Sequence, residues 1–359
     1  NICSYSMVSP RYTELHCHSA FSFLDGASLP EELVAAALER GHEALALTDH
    51  NTVSGSMEFA QAAAGLGLRA IHGAELDLRI GERIHHITLL VRDQQGWRNL
   101  CRLLTLAHEH TRDTDRARTR GEPLLTVEQL AGHTDGLVCL TGCALHGVED
   151  EDGVRVLRER FGPECLYAEL QRPFHPGDRA RNRRREQLAR RLGLRTVATG
   201  NVHAHDHRRA LLQDALVAVR LGGTLDSTEP QRRGNHSHVL TTPEAMAARF
   251  GDHPAAVTET ERLAETLTFD LTRDLGYRYP GAEDECAAAR LAGVCEQRFA
   301  ERYPPGSRHE RAARARLIDE LGLKRGREAV ALIKSSLVLL SPDPGIRISA
   351  RNRLVGTIA

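Results

Sequence analysis

The segment from Tyr12 to His18, with the sequence Tyr-Thr-Glu-Leu-His-Cys-His, alternates in the manner of a short β-strand. Ser28 then predicts a helix that runs to about Arg40, because serine is a favoured N-cap residue and a proline and a glutamate follow it. Gly41 ends this helix, and Ala44–Thr48 is an apolar run typical of a buried strand. The chain therefore begins as alternating strand and helix.

This alternation continues, and about seven strands are visible in all. The later ones are predicted near Arg69–Ile71, His86–Val91, Gly136–Leu140, Leu166–Leu170 and Arg195–Thr199, with helical patterns between most of them. Alternating strands and helices predict parallel pairing through right-handed crossovers, which either a barrel or an open sheet satisfies. No Gly-x-Gly-x-x-Gly follows the first strand, so a dinucleotide-binding sheet has no support.

Composition sets broad limits on the class of protein. With 359 residues, 41% of them hydrophobic and 26% charged, the chain fits one large α/β domain with a smaller appendage. The net charge of −1 gives the whole chain no bias toward nucleic acid. The eight cysteines form no Cys-x-x-Cys pair, and neither a secretory signal nor a membrane-spanning run is visible, so we expect reduced thiols and a cytoplasmic location.

Metal-ligand side chains follow one strand after another. They are His16, His18, His50, Glu75, Cys143 and His203. The loops at the carboxyl end of a parallel barrel converge, so these residues are expected to meet there. A lone histidine at a strand end is usually a satisfied polar group, but the joint occurrence favours metal binding. Imidazole, carboxylate and thiolate together suit zinc, manganese or iron. Two such ions can clamp a phosphate and generate hydroxide, which predicts phosphoester hydrolysis.

Several motifs also resemble a known family. Those similar to the polymerase and histidinol phosphatase (PHP) superfamily are Glu14–Ser19, Ser22–Gly26, Thr48–His50 and Gly73–Glu75. Four further segments are similar to the version of this superfamily found in bacterial DNA polymerase III alpha subunits. They are His86–Leu90, Gly96–Cys101, Thr141–Cys143 and Ala198–His203. Three segments are most similar to the error-prone branch of those subunits. They are Gly222–His238, Phe269–Leu271 and Asp274–Pro280. The likeness extends over about Arg11–Leu323.

The resemblance implies a distorted seven-stranded (β/α)7 PHP barrel that holds two to three divalent ions, zinc or manganese, with iron or magnesium as alternatives. Its implied ligands are His16, His18, Asp25, His50, Glu75, His86, Cys143 and His203. Asn201 stands where the family usually has aspartate, and motif register favours His86 over His85. Asp25, Glu75 and His50 are the predicted catalytic residues, with a water between the ions as nucleophile.

The resemblance also predicts the domain organisation and the partners. We expect a leader at 1–10, the barrel at 11–225, a helical lead-in to a polymerase palm at 226–323 and a divergent tail at 324–359, with the chain ending before the palm. Asp113–Asp115 and Asp150–Asp152 are interpreted as solvated loops rather than polymerase carboxylates. The parent would be a DNA-directed DNA polymerase, a nucleotidyltransferase acting in replication and the repair of DNA damage. Its implied partners are DNA, a sliding clamp and an inactive polymerase-like cofactor.

Three functions remain open at this point. The barrel could hydrolyse a 3′-terminal phosphodiester, act as a free-standing phosphatase on a small phosphate monoester, or persist as an inactive structural fragment. Asn201 favours weak or absent hydrolysis, because an amide is a weaker, neutral ligand. The region after Gly222 argues against a small-molecule phosphatase, which has no need of it. The arginine-rich run Arg179–Arg191 is interpreted as the solvated face of a helix, with contact to DNA phosphates as the alternative.

Overall fold

The computed structural model describes residues 11–112, 121–276, 287–315, 328–334, 337–341 and 353–357. Contacts divide the chain into two compact units, Asn1–Leu275 and Gly276–Ala359. The leader and the Asp113–Asp115 pair lie outside the described residues. Among the described residues, no helix has the length and apolar character needed to cross a membrane.

A curled sheet of seven strands forms the first unit. The strands are β1 (Ala44–Leu47), β2 (Arg69–Ile80), β3 (Arg83–Val91), β4 (Leu125–Thr126), β5 (Leu137–Leu140), β6 (Leu166–Gln171) and β7 (Arg195–Thr199). Their order is β1-β2-β3-β5-β6-β7, and β4 pairs with β2. The predicted α/β class is confirmed, although β4 replaces the predicted first strand in the count of seven.

The prediction of uniformly parallel pairing is wrong at β3. This strand runs antiparallel to both β2 and β5, whereas β1–β2, β5–β6 and β6–β7 pair in parallel. Only Gly81 and Glu82 separate β2 from β3, and a two-residue connection can join only antiparallel strands. Gly81 has a φ of 59°, a conformation that glycine adopts without strain.

Residues 12–18 close the curled sheet without forming a regular strand. Glu14 bridges Leu45 of β1, and Cys17 bridges Val202, which follows β7. The His18 amide donates to the Val202 carbonyl at 2.8 Å, and the Ala46 amide donates to the Glu14 carbonyl at 2.9 Å. The chain segment that carries the first two histidines is therefore held between the two ends of the sheet.

Eight helices of this unit flank the sheet or follow it. They are α1 (Pro30–Glu39), α2 (Ser56–Leu66), α3 (Gln94–His108), α4 (Glu151–Phe161), α5 (Asp178–Leu192), α6 (His207–Leu221), α7 (Pro243–Arg249) and α8 (Pro254–Thr266). Two local predictions are wrong. Leu29, not Ser28, is the N-cap of α1, because the Ser28 hydroxyl instead contacts the His205 ring at 2.8 Å. Asp150 caps α4 by accepting the Gly153 amide, so residues 150–152 open a helix.

The segment after residue 225 packs on the sheet. Leu263, Ala264 and Leu267 are buried in one cluster with residues of β1, β2 and β5–β7. Phe269 stacks on Trp97 with ring centroids 5.6 Å apart. Burying a leucine or phenylalanine contributes about 1.5–3 kcal/mol, so these contacts hold the segment firmly. The role of residues 226–323 as a lead-in to a palm stays a prediction.

The second unit contains α9 (Ala287–Arg302), α10 (Glu310–Ala315) and a three-stranded antiparallel sheet. Its strands are β8 (Glu328–Lys334), β9 (Leu337–Ser341) and β10 (Arg353–Thr357), in the order β10-β8-β9. These strands fall inside the tail for which the sequence predicted only divergence.

Candidate metal centre

Glu75 on β2 lies at the centre of a cluster of four imidazoles. Its Oε1 atom is 3.3 Å from His16 Nε2 and 3.4 Å from His86 Nδ1. Its Oε2 atom is 2.8 Å from His50 Nδ1 and 3.8 Å from His18 Nε2. One buried carboxylate shared among four nitrogen donors is a geometry that can bridge two metal ions.

The backbone explains how Glu75 reaches this position. Residues 48–51 run parallel to β2, so the Asn51 amide donates to the Glu75 carbonyl at 2.7 Å and His50 bridges Glu75. Gly73 allows the close approach, since a Cβ atom there would lie 2.3 Å from the Leu89 carbonyl oxygen. The Gly-Ala-Glu motif therefore brings its carboxylate up to His50.

His16 and His18 form the buried floor of the cluster. Their Nε2 atoms are 3.1 Å apart, and both side chains are fully buried. Glu169 on β6 contacts His16 Nδ1 at 2.7 Å, and Gln171 Nε2 donates to Glu169 at 2.7 Å. A carboxylate behind a histidine ring fixes the tautomer, so His16 Nε2 is directed at the cluster. Sequence reasoning missed Glu169, although a glutamate inside the apolar run of β6 was the signal that could have found it.

The two floor histidines titrate in opposite directions. Burial opposes a charge on His16, but the adjacent Glu169 and Glu75 carboxylates outweigh burial and hold its pKa well above the ordinary value. Burial and the neighbouring His203 hold the pKa of His18 well below the ordinary value. His18 is therefore neutral at pH 7, with a lone pair available to bind an ion.

Asp25 and His203 extend the cluster on one side. His203 stacks on His18 with ring centroids 4.3 Å apart, and its Nε2 atom is 3.1 Å from Asp25 Oδ2. Arg233 Nη2 donates to the same Asp25 oxygen at 2.7 Å. Burial alone would raise the pKa of Asp25, but Arg233 and His203 outweigh it and hold the pKa well below its usual range. Asp25 is thus a carboxylate under all physiological conditions.

His50, His86 and Cys143 form the opposite, more accessible side. The Cys143 sulfur is 3.7 Å from His86 Nδ1, and the structure places His86, not His85, beside Glu75. Asp77, which the sequence did not indicate, contacts both rings: its Oδ2 is 3.2 Å from His50 Nε2 and its Oδ1 is 3.1 Å from His86 Nε2. Each imidazole is therefore held between two carboxylates that sit two residues apart on β2.

The carboxylates control the charge of these outer histidines. Burial lowers the pKa of both rings, but Asp77 and Glu75 outweigh it and raise the pKa of His50 to about 9. Glu75 and Cys143 likewise raise the pKa of His86 to about 11. The pKa of Glu75 itself is lowered, since the histidines around it outweigh its burial. Without ions, the outer side is thus a network of paired charges.

An unpartnered oxygen among many donor atoms fits a metal at this cluster. Asn201 Oδ1 is buried and lacks a hydrogen-bond partner among the described residues. An unsatisfied buried polar group costs about 1–3 kcal/mol, and a bound cation would offset that cost. Two sets of described residues bring donor atoms within 4.8 Å of one another, His16-His18-Glu75 and His50-Glu75-His86. Nitrogen, oxygen and sulfur donors of this kind suit zinc or manganese.

Asn201 occupies an unusual place at the edge of the cluster. Its φ of 50° is in the left-handed region, which asparagine tolerates better than most residues. Its carbonyl oxygen lies 2.9 Å from both His203 Nδ1 and His238 Nδ1, so it fixes the orientation of two rings. Its side-chain nitrogen donates to Gln171 at 3.4 Å, which leaves the amide oxygen facing away from that contact.

Arg185 of α5 supports the Cys143 loop from below. Its guanidinium donates to the carbonyls of Glu169 at 2.9 Å and Cys143 at 3.0 Å, and to Glu149 at 2.8 Å. The side chain is only 4% exposed. The interpretation of the arginine run as a solvated face is therefore wrong at Arg185, although Arg184 and Arg190 are exposed.

The comparisons with known proteins agree with this architecture. The PHP domain family matches residues 14–172. The error-prone DNA polymerase of Symbiobacterium thermophilum is 36% identical over 95% of this chain and 33% of its own length. The error-prone DNA polymerase of Mycobacterium bovis is 37% identical over 73% of this chain and 25% of its own length. This chain thus spans about a quarter to a third of these relatives.

Structural comparison finds more distant proteins. A candidate metal-dependent phosphoesterase from Bifidobacterium adolescentis has 16% identity and a TM-score of 0.42, covering 54% of this chain and 88% of that chain. An amidohydrolase from Chromobacterium violaceum has 20% identity and a TM-score of 0.38, with the same coverage.

The fold and the matched residues define a PHP domain. The chain contains a PHP domain and is similar to the N-terminal part of error-prone DNA polymerases.

Proposed function

We propose that this chain holds two to three divalent metal ions, zinc or manganese, around Glu75 and hydrolyses phosphoesters as the PHP part of an error-prone DNA polymerase. The observation that carries this proposal is the placement of four imidazoles within 3.8 Å of the buried Glu75 carboxylate. Two metal ions held close together stabilise both the attacking and the leaving oxygen of a phosphoester, and Glu75 with nitrogen donors on both sides would hold such a pair.

Each side of the cluster would take part in holding the ions. His16 and His18 would bind on the floor, and His50, His86 and Cys143 on the outer side, with Glu75 between them. Asp25 and His203 would complete a third position beside Asn201. Ions bound there would supply a Lewis acid for a phosphoryl oxygen and hydroxide at neutral pH. Asp25, Glu75 and His50 are the proposed catalytic residues, because they face the open cleft.

The proposed substrate is a phosphodiester at the 3′ end of DNA. Similarity to error-prone DNA polymerases supports DNA as the partner, and the segment after Gly222 brings Arg233 to Asp25 at 2.7 Å, a contact that a small-molecule phosphatase has no need of. The neutral Asn201 amide would hold its ion less tightly than an aspartate, so we propose that hydrolysis is weak. DNA synthesis, a sliding clamp, a polymerase-like cofactor and a cytoplasmic location remain proposals for the longer parent protein.

A 3′-end release assay tests the proposal. The purified chain, loaded separately with zinc and with manganese, would be incubated with a single-stranded oligonucleotide labelled at its 3′ end. We expect slow metal-dependent release of the terminal nucleotide, and a loss of at least about 100-fold in the Glu75→Gln variant, since removing one key electrostatic group costs about that much. Release that Glu75→Gln leaves unchanged would exclude this cluster as the source.

Restoring the carboxylate provides a second arm. Asn201→Asp should increase both metal retention and the rate of release, because a charged ligand replaces a neutral one. An Asn201→Asp variant with neither gain would show that Asn201 does not limit hydrolysis.

A further inference from the structure

Phe23 stands exposed at the rim of the metal cleft. Its side chain is 80% exposed, although it is only two residues from the buried Asp25, and both residues line the cleft. Leu145, from the loop that carries Cys143, lines the same cleft and is 62% exposed. Both side chains are therefore accessible to a ligand that enters the cleft.

Hydrogen bonds close the loop that carries Phe23 into a tight turn. The Asp25 and Gly26 amides both donate to the Ser22 carbonyl, at 3.0 and 2.9 Å, and the Ser22 hydroxyl donates to Asp49 at 2.7 Å. A Cβ atom on Gly26 would lie 1.9 Å from the Ser19 carbonyl oxygen, so the loop is closed as tightly as glycine allows. Phe23 is a central residue of this turn, and its side chain projects into solvent.

Positive charge gathers next to this ring. Arg233 Nη2 lies 2.7 Å from Asp25 Oδ2, and Arg220 Nη1 lies 3.6 Å from Asp25 Oδ1. Because two guanidinium groups face one carboxylate, these three side chains carry a net charge of +1. Arg220 and Arg233 are 45% and 23% exposed, so both can also reach a ligand in the cleft. An anion with a flat apolar neighbour complements this arrangement.

A strand of nucleic acid has that combination of groups. Arginine binds phosphate with its planar set of donors, and an exposed aromatic ring stacks on any nucleobase. Phe23 and the carboxylate that both arginines contact are two residues apart in the chain, and all of these side chains line the same cleft, so one strand in the cleft can meet the ring and the arginines together. A small phosphate monoester would engage the arginines but has no use for the ring.

We propose that Phe23 is a specificity-determining residue that stacks on a nucleobase of a single-stranded polynucleotide while Arg220 and Arg233 hold the adjacent phosphate. This inference rests on the proposed function, because it assigns a polynucleotide end to the same cleft. It gives the chain a means of choosing a strand over a monoester.

Fluorescence anisotropy with the full chain tests the inference, with a chelator present so that no strand is cut. The probes are a labelled oligothymidylate and a strand of the same length and charge that lacks bases. Phe23→Ala should weaken oligothymidylate binding between about 5-fold and 100-fold, the effect of losing one stacked base, and leave the abasic strand within 2-fold. Phe23→Trp should restore binding.

Leu211→Ala is the matched control, because Leu211 is 62% exposed on α6 and does not line the cleft. It should bind both probes like the wild type. Unchanged oligothymidylate binding by Phe23→Ala would overturn the inference and assign the exposed ring to contact with another polypeptide. Equal weakening with both strands would also overturn it, since that result excludes stacking. Absence of all phosphoester hydrolysis would defeat the proposed function alone and leave the binding result intact.

Discussion

The two sides of the metal cleft differ in how firmly the protein fixes their histidines. His16 and His18 are fully buried, and the buried Glu169 holds His16 from behind. The rings of His50 and His86 are 28% and 24% exposed, and the partly exposed Asp77 spans them. The floor is therefore part of the folded core, whereas the outer side can adjust. Mutations on the floor should lower the free energy of unfolding, and mutations on the outer side should weaken metal binding.

The largest effect is expected from Glu169→Ala. It leaves His16 without its buried partner, and breaking a buried ion pair costs about 3–5 kcal/mol. The free energy of unfolding, measured by urea denaturation of the metal-free protein, should fall by that amount. Glu164→Ala is the control, because Glu164 is 86% exposed and its pairing with Arg195 should contribute less than about 1 kcal/mol. Similar losses of unfolding free energy in the two variants would contradict the conclusion that His16 and Glu169 are part of the folded core.

Arg185→Met tests how much the buried Arg185 guanidinium stabilises the loop that carries Cys143. It removes the hydrogen bonds to the buried Glu169 and Cys143 carbonyls and to the exposed Glu149 carboxylate, so we expect a loss of about 2–4 kcal/mol in unfolding free energy. Arg184→Met, the same change at an exposed neighbour, should alter stability by less than about 0.5 kcal/mol. Equal losses of unfolding free energy in the two variants would show that Arg185 stabilises the fold no more than an exposed arginine of the same helix does.

Asp77→Asn should act on the metal instead of the fold. Losing the carboxylate that orients His50 and His86 should weaken metal affinity about 10- to 100-fold, as is typical when such a partner is removed. Competition with a fluorescent chelator measures this affinity. Asp226→Asn, at an exposed position, serves as the control. An unchanged affinity would mean that Asp77 does not orient the outer histidines.

The smallest effect concerns pH. The folded pKa of His50, about 9, lies above its ordinary value of 6.5. The contribution of protonated His50 to the free energy of unfolding is therefore complete below about pH 6.5 and is lost as the pH rises through about 9. The unfolding free energy of the metal-free protein should fall by about 1 kcal/mol between pH 7 and pH 8, and by less in His50→Gln. An equal fall in both proteins would show that His50 does not carry this dependence.

Sequence alone could predict the ligands that follow apolar runs. His50 and His203 come just after strands that read as continuous apolar segments, and Glu75 belongs to a motif with a glycine that permits close approach. These signals are local, so spacing and residue type are enough to find them.

The missed features depend on pairing between distant segments. β2 was predicted to stop at Ile71 because His72, Glu75 and Asp77 interrupt its apolar character, yet the strand runs on to Ile80 and turns back into β3. Asp77 thus remained hidden. Glu169 and Arg185 were missed for a related reason: their roles arise from contacts across 153 residues to His16 and 42 residues to Cys143, which no local pattern reveals.

The number of metal ions bound per chain tests the central claim most directly. The wild type and Glu75→Gln would be loaded with zinc, freed of excess metal and measured by elemental analysis, with circular dichroism to verify that both are folded. We predict two or more ions per chain in the wild type and at most one in Glu75→Gln, because one carboxylate joins both groups of donors. An equal ion count in the two proteins, or a wild type that retains none, would contradict a metal centre built around Glu75.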